Sequence, residues 1–477
     1  MDSKSLEPAT QAQSDIVDWD GPLDPAKPTN WSAIRKWTIV VTTTLLTFVV
    51  SFSSSVWSAV IEETSNEFET SSTVMVLGIT IYVLGFAVGP CVWGPASELY
   101  GRTRPMWIGT GCFLLFQIPV GLAQDASTVL VLRFASGLFG SAPLAIVAGM
   151  YVDFLGPIER GISTAVFSTG VYCGPVLGPI FGNLATRSFG WRSTAWITMI
   201  AGGLLGLLAF ICTPETSEPI LLKRKARKLR LATSDWSLHA KSEENAADLR
   251  YFLRKYLTKP MRMLILEPIL MIFTVYMSLV YGILYLTLTL YPFAFDHMRG
   301  WSTTKASLPF LSLLVGILLG CLIIGAHSYF HCKKALAGRD MAPEDRLPPV
   351  VLGSVVLTSG LFMFAWTSSA NLSATPQILS GVLIGAGIVL VFMSSLAFIV
   401  ETYLFDANSA LAINTFFRCI TAASFPVFSL DMFKHLGVEW SGSMLALMCI
   451  ALLPFPVLML RYGPAVRRWS KYARSES

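Results

Sequence analysis

Long apolar runs alternate with short polar segments along almost the whole chain. Scanned with a window of about 19 residues, the sequence contains twelve apolar runs, each long enough to cross about 30 Å of hydrocarbon as a helix. The runs lie at 37–61, 73–93, 105–124, 128–151, 162–184, 192–213, 263–290, 305–330, 349–369, 376–400, 409–431 and 441–461. This pattern predicts an all-α membrane protein with twelve transmembrane helices.

The polar segments group these twelve spans into two sets of six. Adding 248 to a position in the first set places Asp153 on Glu401 and Gly137 on Gly385, which is the mark of a diverged internal repeat. Two six-helix bundles with a cavity between them are one known plan for a transporter. The predicted parts are a tail at 1–36, a bundle at 37–213, a central loop at 214–262, a bundle at 263–461 and a tail at 462–477.

Composition agrees with a membrane protein. Hydrophobic residues make up 53% of the chain and charged residues 14%, against about 25% charged in a soluble domain. The net charge is +5, but the basic residues are spread between the apolar runs, so a nucleic-acid partner is not expected. Most Lys and Arg residues fall in the tails and in the loops after even-numbered spans, which predicts that both termini are cytoplasmic.

The central loop contains a basic run, KRKARKLR at 223–230. Such a run is expected at the anionic inner leaflet. Further along, Leu249, Phe252 and Leu257 repeat at helical spacing, as in a helix that lies in the membrane interface. The loop is therefore interpreted either as a linker anchored to lipid or as a regulatory site.

No pattern typical of an enzyme or a metal site stands out. The eight cysteines mostly occur singly within apolar runs, without a CxxC pair, so they are interpreted as packing residues. His327 and His331 have a metal-ligand spacing, but they end the eighth predicted span, where histidine suits a helix C-terminus. The sequence also lacks a GxSxG elbow, a Walker loop and a GxGxxG fingerprint. We expect neither catalysis nor a bound metal or cofactor.

An arginine lies inside the fourth predicted span, in the stretch VLRFASGLFG. A cation at that depth costs several kcal/mol unless it faces a partner or a wet cavity, so Arg133 is a candidate functional residue. The alternative is an arginine that snorkels to the outer surface and ties helices together.

The fifth predicted span contains GVYCGPVLGPIFG. Glycines spaced by four share one helix face and allow a second helix to approach backbone to backbone, while a proline inside a helix bends it. The alternative is ordinary close packing without a bearing on transport. The residues concerned are Gly170, Gly174, Pro175, Gly178, Pro179 and Gly182.

Candidate cavity residues lie on the seventh and eleventh spans. Tyr281 and Tyr285 are one turn apart, and Asn414 and Arg418 share a helix face. Aromatic rings with few polar groups bind flat, mostly apolar molecules, and Arg418 would attract anionic groups if it faces the cavity. The alternatives are helix packing for the tyrosines and a carboxylate partner for Arg418.

These motifs resemble those of the major facilitator superfamily. Its loop 2–3 signature matches GPASELYGRTRP, although Thr103 stands where a second base is usual. The glycine–proline motif of the fifth span is similar to that of the antiporter branch, and DFLGPIERG and ETYLFDANSALA resemble fungal twelve-span drug:proton antiporters. The matching inner-face residues, with their implied gating role, are Gly94, Glu98, Gly101, Arg102, Arg104, Asp153, Arg160 and Glu401.

The resemblance implies proton-coupled export of small amphipathic organic molecules by alternating access. Arg133 would serve proton coupling, and the proton gradient would supply the energy. A monomer in a fungal plasma membrane is expected, with a small molecule, protons and the bilayer as its partners. Two alternatives stay open: a polyamine or nutrient permease of the same superfamily, and a receptor or scaffold, which would not need Arg133.

Overall fold

The computed structural model describes residues 15–244, 258–337, 342–468 and 470–473. Within these ranges the chain is mostly helical, and its β-structure is limited to one isolated bridge between Ile16 and His239. This agrees with the predicted all-α class.

The first half contains six long helices, α1 to α6. The hydroxyl of Ser32 accepts a hydrogen bond from the Arg35 N–H and so caps the start of α1. Beyond Ser55 the chain continues as the 3₁₀ turn Val56–Val60 and the short helix Ile61–Glu67. The helices are α1 (Ala33–Ser55), α2 (Ser72–Tyr100), α3 (Thr103–Leu122), α4 (Ala126–Phe154), α5 (Pro157–Phe189) and α6 (Ser193–Cys212).

The second half begins with the short helix Lys259–Leu266, and its long helices follow the same plan. The last turn of α7 continues as a π-helix, Phe293–Met298, and the five-residue helix Thr303–Ser307 precedes α8. The next four long helices are α7 (Pro268–Pro292), α8 (Phe310–Leu336), α9 (Pro348–Trp366) and α10 (Ala374–Thr402).

The final stretch of helix contains two spans. Eleven helices of the described chain are long and apolar enough to cross a membrane, and the last of them, Ala407–Arg467, has 61 residues. A straight helix of that length would measure about 90 Å, roughly three times the hydrocarbon thickness. Gly437 interrupts it with φ 76°, so α11 covers 407–436 and α12 covers 438–467. Twelve transmembrane helices result.

In each half, the second and fourth helices make a close contact that has room only for glycine. A Cβ on Gly137 of α4 would overlap the carbonyl oxygen of Tyr82 in α2, and a Cβ on Gly385 of α10 would overlap that of Leu313 in α8. Gly137 and Gly385 correspond in the predicted repeat. The second and fourth helices of each bundle therefore meet backbone to backbone in the same way.

Polar contacts connect the two bundles along two seams. In the α2–α11 seam, the Thr80 hydroxyl donates to the Ala423 carbonyl at 2.8 Å. In the seam between α5 and the second bundle, the Ser168 hydroxyl donates to the sulfur of Met393 at 2.6 Å. Helices α5, α10 and α11 take part in these seams, and together with α1 and α7 they carry most residues of the candidate site.

The N-terminal tail packs on a helix of the central loop, Glu218–Thr233. The Val17 N–H donates to the His239 carbonyl at 2.8 Å, and Lys225 forms an ion pair with Asp20 at 2.6 Å. Part of the basic run expected at the lipid surface is thus paired with the protein's own carboxylates. The interfacial helix predicted around Leu249–Leu257 lies outside the described residues.

The C-terminal tail is held by a buried carboxylate. Glu267, at the start of α7, accepts hydrogen bonds from the backbone N–H groups of Lys471 and Tyr472 at 2.8 and 3.1 Å. The hydroxyls of Ser470 and Tyr403 donate to the same carboxylate. The described parts of both tails therefore pack onto helices of the protein.

Candidate functional site

Arg133 is enclosed by the first bundle and does not reach the surface. Its side chain is 2% exposed, and its guanidinium donates to three backbone carbonyls. These are Gly78 at 3.1 Å, Ser53 at 2.9 Å and Ser54 at 3.2 Å. The charge also lies 4.5 Å above the Tyr82 ring centroid, a favourable cation–π position. This arrangement differs from a snorkelling arginine, because carbonyl dipoles and an aromatic ring replace water around the charge.

The local structure of α1 explains why two of these carbonyls accept from a side chain. The last turn of an α-helix leaves its carbonyls without intrahelical partners, and α1 changes at Val56 into a 3₁₀ turn. Arg133 binds the carbonyls of Ser53 and Ser54 at this point. Arg133 therefore connects the first third of α4 to the end of α1.

A hydrogen bond links this region to the second bundle. The Ser54 hydroxyl lies 3.0 Å from the Tyr285 hydroxyl on α7, and the Tyr285 ring packs edge-on against Tyr281 at 5.2 Å. Residues predicted separately for proton coupling and for the cavity are therefore neighbours. One residue, Ser54, contacts both the guanidinium of Arg133 and the hydroxyl of Tyr285 on α7.

Arg418, on α11, lies next to Tyr281. Its guanidinium is 5.1 Å from the Tyr281 ring centroid and 4.7 Å from that of Phe392 on α10. The buried Nε of Arg418 has no hydrogen-bond partner in the described part of the protein. Neither carboxylate considered from the sequence pairs with it, since Asp153 binds Arg102 and Glu401 binds Arg346.

Asn414 holds two helices together. It is fully buried, and its amide donates to the Thr274 hydroxyl at 3.2 Å and to the Met277 sulfur at 3.4 Å, both on α7. Tyr276, on another face of α7, donates to the Ser354 hydroxyl of α9. Asn414 and Tyr276 thus join helices within the second bundle. Tyr285, in contrast, contacts Ser54 of the first bundle, and Tyr281 and Arg418 lie next to it.

At the end of the first bundle where α2 meets α3, the predicted charge motif forms a compact cluster. The Arg102 guanidinium binds Asp153 through two nitrogens, at 3.0 and 3.3 Å. Beside it, the buried Glu215 accepts from the backbone N–H groups of Arg102 and Thr103 at 2.9 and 3.3 Å, and from the Thr103 hydroxyl at 2.8 Å. The sequence analysis did not identify Glu215. Its position in the PETSEP stretch after the sixth span is the only available signal.

The remaining residues of this motif have separate surroundings. Gly101 adopts φ 90°, which favours glycine at the turn between α2 and α3. The Asn408 amide of the second bundle approaches Glu98 at 3.5 Å, and Arg160 donates to two carbonyls at the end of α4. Arg104 is exposed, and Gly94 has open space beside it.

The second bundle repeats the Arg102–Asp153 ion pair. Arg346 precedes α9 as Arg102 precedes α3, and it donates to Glu401 at 2.8 Å. Glu401 is the repeat counterpart of Asp153. Each half thus fastens the end of its fourth helix to the start of its third, although only the first half carries the recognisable sequence motif.

The glycine face of α5 packs on α1. A Cβ on Gly170 would lie 2.7 Å from the Thr44 carbonyl oxygen, and one on Gly174 would lie 2.7 Å from the Phe52 nitrogen. Both contacts are to backbone, which cannot move aside as a flexible side chain could. Helix α5 remains helical through its two internal prolines. The same α1–α5 contact continues at Gly178 and Gly182.

Comparisons with known proteins agree with this architecture. A family model described as Major Facilitator Superfamily matches residues 43–426. A citrinin biosynthesis cluster MFS transporter of Monascus ruber is 44% identical, with 99% of this chain and 95% of that protein covered. A cercosporin MFS transporter of Cercospora nicotianae is 40% identical, with 97% and 91% covered.

Solved structures show the same fold at low sequence identity. The proton:xylose symporter XylE, bound to a bromodeoxyglucose, aligns with a TM-score of 0.66 at 14% identity, over 91% of this chain and 96% of its own. A human organic anion transporter aligns with a TM-score of 0.61 at 15% identity, over 90% and 100%. With the family match, the relatives and the twelve-helix fold in agreement, this chain belongs to the Major Facilitator Superfamily.

Proposed function

We propose that this transporter uses a proton gradient to export a small amphipathic organic molecule, such as a secondary metabolite, by alternating access. The observation that carries the proposal is the line of contacts from Arg133 through Ser54 and Tyr285 to Tyr281 and Arg418. These contacts connect the buried charge of Arg133 in the first bundle to the tyrosine rings of α7 in the second bundle. The names of the fungal relatives support the class of substrate.

The role of Arg133 in this scheme is that of a fixed positive charge. An arginine keeps its proton in proteins, so coupling would act through the electrostatic effect of a proton bound nearby. Such a proton would repel the guanidinium and weaken its hydrogen bonds to the carbonyls of Ser53 and Ser54 at the end of α1. Because the Ser54 hydroxyl also contacts Tyr285, the resulting movement of Ser54 would affect the second bundle. The populations facing inward and outward would then shift.

Proteoliposomes with an imposed pH gradient test the coupling. Uptake of a panel of dyes, antifungals and polyamines is measured for the wild type, Arg133→Gln and Arg133→Lys. The control is Arg192→Gln, which removes a half-exposed arginine paired with Glu67. We expect Arg133→Gln, which removes the charge, to lose the effect of the gradient, and Arg133→Lys, which keeps the charge but not the three guanidinium hydrogen bonds, to retain part of it. The control should keep the full effect. Accumulation by the wild type that ignores the gradient would refute proton coupling.

The same proposal includes a monomer in the fungal plasma membrane with both tails in the cytoplasm. Engineered thiols at the two ends of α1, labelled from each side, test the orientation. A polyamine permease is less well supported, because Arg418 places a positive charge beside Tyr281 at the centre. A receptor or scaffold would retain its function after replacement of Arg133.

A further inference from the structure

Several buried polar atoms of the described residues lack hydrogen-bond partners, and two of them lie beside Phe392, where the two bundles meet. One is the Nε of Arg418 on α11, and the other is the hydroxyl of Tyr172 on α5; neither has a partner among the described residues. Buried polar groups in native proteins are almost always hydrogen-bonded. A group left unpaired at the centre of a transporter is therefore available to a ligand.

The two groups approach the same aromatic ring from different bundles. The Arg418 guanidinium lies 4.7 Å from the Phe392 centroid, and the Tyr172 ring packs edge-on against Phe392 at 5.5 Å. Tyr281 packs against Phe392 at 5.9 Å with an interplanar angle of 36°. The Arg418 guanidinium, the Tyr172 ring and the Tyr281 ring thus all contact the ring of Phe392.

The charge of this region is positive, and the neighbours of Arg418 that the structure shows are aromatic rings rather than carboxylates. No described carboxylate forms an ion pair with Arg418 or with Arg133, and the guanidinium of Arg133 is already occupied by three carbonyls. An isolated cation at this depth in a membrane protein is costly. A bound anion would offset that cost, whereas a cationic substrate would add to it.

We propose that Arg418 and Tyr172 together bind the anionic group, a carboxylate or phenolate, of a flat aromatic substrate whose rings lie against Tyr281 and Phe392. This assignment rests on the proposed transport function and names its substrate class. Arg418 belongs to the second bundle and Tyr172 to the first, so one anionic group would bridge the two halves. The bound substrate would thereby favour an occluded arrangement.

A matched pair of xanthene dyes tests the proposal on the full chain. Fluorescein carries a carboxylate and a phenolate, and rhodamine 123 has a similar ring system with a positive charge. Thermal stabilisation in detergent is measured with each dye, and gradient-driven uptake is measured in proteoliposomes, with the dye quantified after lysis at fixed pH. We expect fluorescein to stabilise the wild type more than rhodamine 123 and to be transported faster.

Variants separate binding from folding. Arg418→Gln should reduce fluorescein uptake by about tenfold or more, and Tyr172→Phe by about two- to tenfold, as expected for a charged and a neutral hydrogen bond. The control is Arg461→Gln, because Arg461 also lies over an aromatic ring, that of Tyr462, but is exposed. The control should leave uptake unchanged.

Each outcome decides between the claims. Equal stabilisation of the wild type by both dyes, or full fluorescein uptake by a folded Arg418→Gln, would overturn the anion site. If Arg418→Gln does not fold, unchanged fluorescein uptake by Tyr172→Phe would overturn it. Failure of every probe to move with the gradient would instead refute the proposed function, while selective stabilisation by fluorescein would still support the site.

Discussion

Replacement of Gly174 by alanine should destabilise the first bundle. A Cβ at this position would lie 2.7 Å from the Phe52 nitrogen, 2.7 Å from the Ser51 Cβ and 2.8 Å from the Phe48 carbonyl oxygen. Two of these three atoms belong to the α1 backbone, so relief requires a movement of α1 as a whole. The matched control is Gly203→Ala on α6, where a Cβ would meet nothing within 4 Å.

Forcing a methyl group into a closely packed site typically costs about 1–3 kcal/mol. Alanine also favours a helix over glycine by about 1 kcal/mol, and this gain applies to both variants. The difference between them therefore isolates the steric clash. For helical units of this size it corresponds to an apparent melting temperature lower by roughly 2–10 °C in Gly174→Ala.

The measurement is thermal unfolding of the purified full chain, followed by intrinsic tryptophan fluorescence in one detergent. Gly203→Ala should melt at or slightly above the wild-type temperature. If Gly174→Ala melts as high as Gly203→Ala, then α1 adjusts at no cost, and the claim that the α5 face is limited by backbone contact is wrong.

Three further predictions concern the central loop and the two tails. Glu215→Gln should lower the free energy of unfolding by about 1.5–3 kcal/mol in denaturant titrations, because it weakens several hydrogen bonds to a buried carboxylate. Glu267→Gln should speed tryptic cleavage after Lys471, whose N–H it binds; equal rates would contradict the docked tail. Backbone N–H groups hold the pKa of Asp24 below its ordinary value, so its stabilising effect is present above about pH 3.9 and lost as the pH falls through the lowered pKa. Asp24→Asn should therefore speed chymotryptic cleavage after Trp19 at pH 7.5. Equal cleavage rates in the variant and the wild type would refute this prediction.

The hydrophobic pattern was sufficient for the twelve spans because each span buries its own backbone hydrogen bonds and only has to match the bilayer. The exception in the helical assignment is informative. The helix continues from α11 into α12 without a loop, and one residue, Gly437, separates two spans that hydropathy had already separated at 431–441. Sequence patterns report the apolar lengths, whereas the shape of the turn depends on a single φ angle.

The partners of the site residues were not predictable from local sequence. Arg133 was expected to face a partner or a wet cavity, or to reach the surface. Its partners are backbone carbonyls, two of which are free only because α1 ends at that point. Arg346 carries no recognisable motif, although it repeats the role of Arg102. Such contacts join positions far apart in the chain, and spacing rules within one helix carry no information about them.

The turn at Gly437 has a practical consequence for topology mapping. With one non-helical residue between α11 and α12, a reporter sequence inserted there would unwind two membrane helices at once. The stretch around Asn371, between α9 and α10, is exposed and non-helical. An epitope or glycan acceptor meant to show on which side of the membrane this end of the helices lies therefore belongs at that second site.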